Sequence, residues 1–291
     1  MPTFDTPAAI SVTVELSVGD LRVNATDRTD TVVEVRPSDP GKKADMAAAE
    51  QTRVEYANGS LLIKTPTGWR PFGPRKGADS VDIVVNVPAG SQVHATCGIA
   101  SLHCAGRLGD SRLNTGVGDV QVTEASPVTI RTGAGDITVD RTTGHADIKT
   151  GTGRVRIGSI SGTAVVRNSN GDNWIGDVSD DLRVSSANGR IVVDQAGATV
   201  TAKTANGDIR IGGVRSGAIV AQTSMGVIDI SVREGVAAWL ELHTSFGNIA
   251  NGLDATAKPE PGVESVEVRA RTSFGDIRIH RAEAAAAVGI G

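Results

Sequence analysis

The chain has 291 residues, a formal net charge of −4, 35 glycines and only 3% aromatic residues. A slightly acidic balance gives no electrostatic case for nucleic acid, and so much glycine with so few aromatics describes a narrow core of Val, Ile and Ala rather than a globular one. The length alone would suit two ordinary domains, whereas a repeat array reaches it without a second core.

In chain order, residues 10–37 read as two strand-like stretches, Ile10 to Leu16 and Leu21 to Val35, around a first degenerate motif, Val18-Gly19-Asp20-Leu21-Arg22-Val23. A polar break at Pro37 to Lys43 precedes the one helical stretch, Ala44 to Arg53, rich in Ala, Glu and Gln. Val54 to Ile63 follows, with a second degenerate turn expected at Asn58-Gly59. A loop from Thr65 to Ser80 is dense in Pro and Gly, and a strand from Val81 to Val87 is closed by Pro88-Ala89-Gly90. Residues 1–92 are therefore expected to be an irregular β-rich beginning that covers an otherwise open end. The first twenty residues carry Asp5, Glu15 and Asp20, with no basic start and no continuous apolar run. Neither a secretory signal nor a membrane span is expected, and the cytoplasm is the expected compartment.

From residue 93 onward one unit recurs, in its clearest form Arg131-Thr132-Gly133-Ala134-Gly135-Asp136-Ile137-Thr138-Val139. Its anchor falls at Ala100, Gly118, Gly135, Gly153, Gly171, Gly189, Gly207, Gly226, Gly247 and Gly275, so the period is 17 to 19 residues, then 21 and 28. With that glycine as position zero, +2 and +4 are apolar (Ile137/Val139, Val155/Ile157, Ile209/Ile211), and so are −7 and −5 (Val128/Ile130, Leu182/Val184). Alternation of β-branched residues predicts two short strands per repeat with one face buried. Position −2 is always Gly, Ala or Ser, and the glycine itself supplies positive φ at a corner. One unit cannot bury its own apolar face, but stacked units can. The expected fold is all-β: a single-stranded parallel β-solenoid of about 18 residues per turn, right-handed because parallel crossovers nearly always are. About ten turns make a rod on the order of 45–50 Å long. The regular solenoid is expected over 93–281, interrupted by a Pro-containing loop from Asp254 to Ser265, and 282–291 is a low-complexity tail.

The columns also nominate sites. Aspartates at +1 (Asp119, Asp136, Asp172, Asp208, Asp276) look like a row of acids, but the central run is Asp136, Arg154, Asp172, Arg190, Asp208. Alternating signs on stacked rungs neutralise one another, which favours a structural ladder. Calcium solenoids place glycines and an aspartate in both halves of the turn, and here Thr142 to Lys149 lacks that pattern, so no metal is expected. Asn170, Asn188 and Asn206 at −1 predict an amide ladder, and the same column ends in Met225, Phe246 and Phe274, suited to covering the C-terminal part of the rod or to forming a contact patch. At +3, Arg156, Trp174, Val192 and Arg210 should face outward, giving Trp174 a cation–π partner in Arg156. Asn173 at +2 of that turn leaves a second placement open, with a bulge rotating Trp174 inward. The loop holding Trp69, Arg70, Phe72, Arg75 and Lys76 is the one locally basic and aromatic segment, either a partner-binding loop or a cap over exposed core. Cys97 and Cys104 read as reduced thiols, Cys104 being at a core position. Five histidines share no ligand spacing, and no nucleophile elbow, P-loop or dinucleotide fingerprint is present, so no cofactor or catalytic residue is expected.

The repeated Thr-x-x-Gly-Asp-Ile unit, with Val14 to Val23 and the run Val87-Pro88-Ala89-Gly90-Ser91, resembles a bacterial family of unknown function labelled putative adhesin, also described as β-strand-repeat proteins. The resemblance covers nearly the whole chain. It implies a β-helix and an adhesin label and supplies no catalytic residues. The expected function is a non-enzymatic scaffold or interaction module with an unknown protein partner or a glycan, without nucleic acid or membrane insertion, as a monomer or weak oligomer. A carbohydrate-binding or carbohydrate-cleaving β-helix is the alternative, and an end-to-end filament a third reading.

Overall fold

The computed structural model describes residues 1–66, 79–253 and 265–282. Its first strands are β1 (Thr3–Asp5), β2 (Ser11–Thr26) and β3 (Asp30–Pro37), followed by the helix α1 (Lys43–Gln51). Next come β4 (Arg53–Ala57), β5 (Ser60–Lys64), β6 (Val81–Pro88), β7 (Gln92–Arg107), β8 (Ser111–Val117) and β9 (Val120–Ala125). The regular turns run through β10 (Val128–Ala134), β11 (Ile137–Thr143), β12 (Ala146–Thr152), β13 (Val155–Ser161), β14 (Ala164–Asn170), β15 (Asn173–Val178), β16 (Leu182–Asn188) and β17 (Ile191–Ala196). They continue with β18 (Val200–Asn206), β19 (Ile209–Val214), β20 (Gly217–Met225), β21 (Ile228–Val232), β22 (Ala237–Phe246), β23 (Ile249–Asn251), β24 (Ser265–Phe274) and β25 (Ile277–Arg281). All belong to one sheet wound into a parallel β-solenoid.

Stacking follows the sequence period. Val128, Ile130 and Thr132 lie beside Ala146, Ile148 and Thr150, and Ile137 and Val139 beside Val155 and Ile157, always in parallel. The residues at −7, −5, +2 and +4 are buried in every rung but that of Gly247, and one continuous core runs from Ile10 to Ile279. At the corner, Gly135 has φ +146°, and a Cβ there would come within 2.1 Å of the Gly118 carbonyl oxygen. Both the backbone angle and the rung spacing therefore demand glycine.

A second inward column sits at −3. The hydroxyls of Thr115, Thr223, Thr272 and Thr244 donate to the carbonyls of Ala100, Gly207, Gly226 and Gly275 on the preceding rung at 2.9–3.2 Å. This is why the repeat reads Thr-x-x-Gly: the threonine satisfies a carbonyl that the corner removes from the sheet ladder.

The N-terminal part departs from its expected outline in two places. β2 runs unbroken through Gly19 and stacks as a complete rung on β7, and the break comes only at residues 27–29. Asn58-Gly59 is not a solenoid turn; with φ of 50° and 74° it joins β4 and β5 as a tight antiparallel hairpin. β5 and β6 pair with the two halves of β2, and β4 and β3 add to them antiparallel, with β1 outermost on β3. Helix α1 packs on β3 and β6, and its buried Asp45 accepts the backbone N–H of Ser80 and of Asp39. Switching from parallel to antiparallel pairing ends the stack and protects its edge.

At the other end the spatial order differs from the chain order. β24 and β25 stack directly on β20 and β21, and β22 and β23 stack on β24 and β25. The turn of Gly247 is thus the outermost rung, with Gly275 between it and Gly226. Met225, Phe274 and Phe246 line up in that order; Phe246 and Phe274 stack at 5.0 Å but all three stay exposed on the flank, so they do not cover the end as expected.

Candidate functional site

The register places Arg156, Trp174, Val192 and Arg210 on one line across β13, β15, β17 and β19. No bulge occurs at Trp174: Asn173 pairs squarely with Val155 and Ile191 and points inward, and Trp174 lies half-exposed on the outer face. Asn173 can occupy a core position because Asn168 donates to its Oδ1 and its own Nδ2 donates to the Gly171 carbonyl, each at 3.2 Å. The Arg156 guanidinium sits 4.2 Å above the Trp174 ring, so the two rungs meet through a cation–π contact. Arg210 stands two rungs beyond, about 10 Å along the rod.

Two carboxylates join this line. Asp194 has its carboxyl pushed above the usual carboxylate range, first by partial burial and then by the neighbouring charge of Asp177. The Arg210 guanidinium, the Trp174 indole and the Arg156 guanidinium act in the opposite sense, and the register sets Trp174 beside Val192 and Asp177 beside Gln195, on either side of Asp194. The floor of this patch is bare backbone: Gly158, Gly176 and Gly212 occupy the +5 column, and a Cβ on Gly176 would come within 3.4 Å of the Trp174 ring. Two open depressions of about 420 and 780 Å³ flank it and meet at Gln195, one reaching Arg210 and Asp194 and the other Asp177 and Arg141. The sequence reading missed Asp177, Asp194 and these glycines. The glycines had a signal in the +5 column, where glycine replaces a larger outward residue on three of four consecutive rungs and Asp194 holds the fourth; Asp177, at +6, had none.

Elsewhere the columns are structural. Asp119, Asp136, Asp172, Asp208 and Asp276 each accept the backbone N–H of the +1 residue one rung on, at 2.7–2.9 Å. Charge alternation adds to this at Arg154, which reaches Asp136 at 2.7 Å, and more weakly at Arg190, 3.9 Å from Asp208. The backbone bond and the guanidinium beside it hold Asp136 below the ordinary carboxylate range. Asn188 donates to Asn170 and Asn206 to Asn188 at 2.8 Å, forming the amide ladder. Among the described residues no three His, Cys, Asp or Glu side chains converge as a metal site. Cys97 and Cys104 are free and buried, and burial pushes both thiols up to about 12. Trp69, Arg70, Phe72, Arg75 and Lys76 lie outside the described residues.

A family model matches residues 8–288. The chain belongs to the Toastrack DUF4097 family. Solved structures similar to this Toastrack chain include a putative cell adhesion protein from Clostridium sporogenes, 10% identical over 96% of this chain and 98% of that one, with a TM-score of 0.24. Putative adhesins from Bacteroides fragilis and Parabacteroides distasonis are likewise 10% identical over 96% of this chain and 95% of theirs, with TM-scores of 0.32 and 0.39. No curated protein matches the Toastrack sequence. Among the described residues no helix is long and apolar enough to cross a membrane.

Proposed function

We propose that the chain is a non-enzymatic interaction module, adhesin-like in the sense of its family, that binds a partner protein through the outer face around Trp174. The observation that carries this reading is a half-exposed tryptophan, braced by Arg156 at 4.2 Å, over a glycine floor. A rigid, amphipathic ring with an arginine beside it is the usual composition of an interface anchor. Trp174→Ala, Arg156→Ala and Arg210→Ala are expected to remove the same partner from a quantitative crosslinking profile without lowering thermal stability. An unchanged profile in all three rejects this face.

Asp194 and Asp177 beside the Trp174 ring favour a second reading, a carbohydrate-binding or carbohydrate-cleaving face, since a flat ring and paired carboxylates suit a sugar. A glycan array followed by turnover assays on any hit separates the two readings; an empty array removes the second. The cytoplasm is the compartment we propose, supported by two free thiols where an oxidising compartment favours disulfides. Cell fractionation with an antibody to the chain tests it.

A further inference from the structure

Among the described residues, the rod is closed at one end and open at the other. At the first end β1, β3, β4 and α1 replace the parallel edge with antiparallel strands and a helix. At the opposite end β22 and β23 pair only with β24 and β25, so, among the described residues, the far side of the ten-residue β22 has no strand beside it. The rung is also apolar: Trp239 is 74% exposed, Phe246 67% and Ile249 46%. Leu240 and Leu242 stay half-buried, while Val268 and Ala270, their partners one rung in, are buried. Unpaired backbone groups beside exposed apolar side chains form a template for another strand.

The geometry points to a second copy of this chain as the occupant, with β22 pairing antiparallel with its counterpart about a two-fold axis at Leu242. The strand is complementary to itself in that register. Glu241 falls opposite His243 of the second copy, Trp239 opposite Ser245 and Leu240 opposite Thr244. Carboxylate thus meets imidazole and large side chains meet small ones, whereas an axis at Glu241 would set two carboxylates face to face. Because the other end is capped, the contact closes at two copies and cannot grow into a filament. One added strand along β22 covers far less than the roughly 800 Å² that a standard stable interface buries on each side. The dimer is therefore a weak one, with a dissociation constant in the micromolar range.

Sedimentation of the full chain tests this. The mass should rise from 29.9 kDa towards twice that value as concentration increases. His243→Glu sets like charges opposite each other at two symmetric positions and should weaken association by roughly tenfold, while His243→Lys should not weaken it. Residues opposite each other across an antiparallel pair have Cα atoms about 4.5 or 5.5 Å apart, within disulfide reach. Leu242→Cys should therefore link the dimer under mild oxidation. Asp5→Cys, on β1 at the closed end, should stay unlinked, and the buried Cys97 and Cys104 do not compete. A wild-type chain still at 29.9 kDa at about 300 μM, far above a micromolar constant, overturns the proposal; that is the result if residues 254–264, residues 283–291 or a different partner takes the edge. Failure of Leu242→Cys to crosslink, or an open-ended polymer, overturns it equally. None of these outcomes bears on the Trp174 face, which lies on the flank of the rod.

Discussion

Asp136 and Arg154 hold two rungs together twice over: Oδ1 of the aspartate accepts the Arg154 backbone N–H at 2.7 Å, and Oδ2 accepts its guanidinium at 2.7 Å. Only the first bond recurs at every aspartate of the column, which ranks the backbone contact above the ion pair. Asp136→Ala should cost about 1 kcal/mol, a melting shift of about 2 °C, and Arg154→Ala should cost less than Asp136→Ala. Since the folded Asp136 carboxyl lies below its ordinary value of 3.8, its contribution is present above pH 3.8 and is lost as pH falls through the lower folded value. In wild type, acid unfolding below pH 3.8 should be steeper than in Asp136→Ala, and equal slopes would reject the ladder's role.

Gly135→Ala tests whether the corner is dictated by backbone or by space. The substitution meets φ of +146° and a carbonyl oxygen 2.1 Å away, a contact that only movement of the rung relieves. A loss of about 3 kcal/mol or more is expected. Gly59→Ala, at φ +74° with no heavy atom within 4 Å of the added methyl, should cost only about 1 kcal/mol. Thermal melts of the two variants compare them directly; similar shifts would mean that rung spacing plays no part.

The buried thiols give a readout of the core. With both pushed up to about 12 from an ordinary 9.0, neither Cys97 nor Cys104 should react with a disulfide reagent at pH 8 in the folded chain, and both should react in denaturant. Their neutral forms favour the fold, so this contribution is complete below pH 9.0 and declines as pH rises towards 12. Rapid labelling of either thiol under native conditions would show that the rungs of β7 open locally.

Much of this architecture is legible in the sequence because each rung repeats the same constraints: the corner glycine, the alternating Val and Ile, and the Asn170–Asn188–Asn206 ladder all stand in columns. The order of the last two turns does not. Phe246 and Phe274, or Ile249 and Ile277, occupy equivalent positions, and any rung can stack on any other through backbone bonds. The 28-residue gap shows that residues are added between Gly247 and Gly275 but not that the later turn stacks on the inner side. The Trp174 patch was half legible. A column locates Arg156, Trp174 and Arg210, whereas Asp177 and Asp194 converge with them only through the fold, since they sit in different columns.

The last prediction concerns the pair that seats Trp174. Asn168 replaces the column threonine and Asn173 the core isoleucine or valine of a single rung, and they bond each other at 3.2 Å. Asn168 Nδ2 also reaches the Gly153 and Gly171 carbonyls, but its Oδ1 is buried without a partner, an arrangement that costs about 1–3 kcal/mol. Asn168→Thr with Asn173→Ile restores the pattern of the neighbouring rungs and should raise the melting temperature by a few degrees, or about 1 kcal/mol or more. Asn173→Ile alone leaves the Asn168 amide beside an apolar neighbour and should stabilise less than the double variant, or destabilise. If the two asparagines exist to fix the Trp174 face, the stabilised double variant should also lose partner binding while the tryptophan itself is untouched. Retained binding with higher stability would instead make the pair a tolerated defect of one rung.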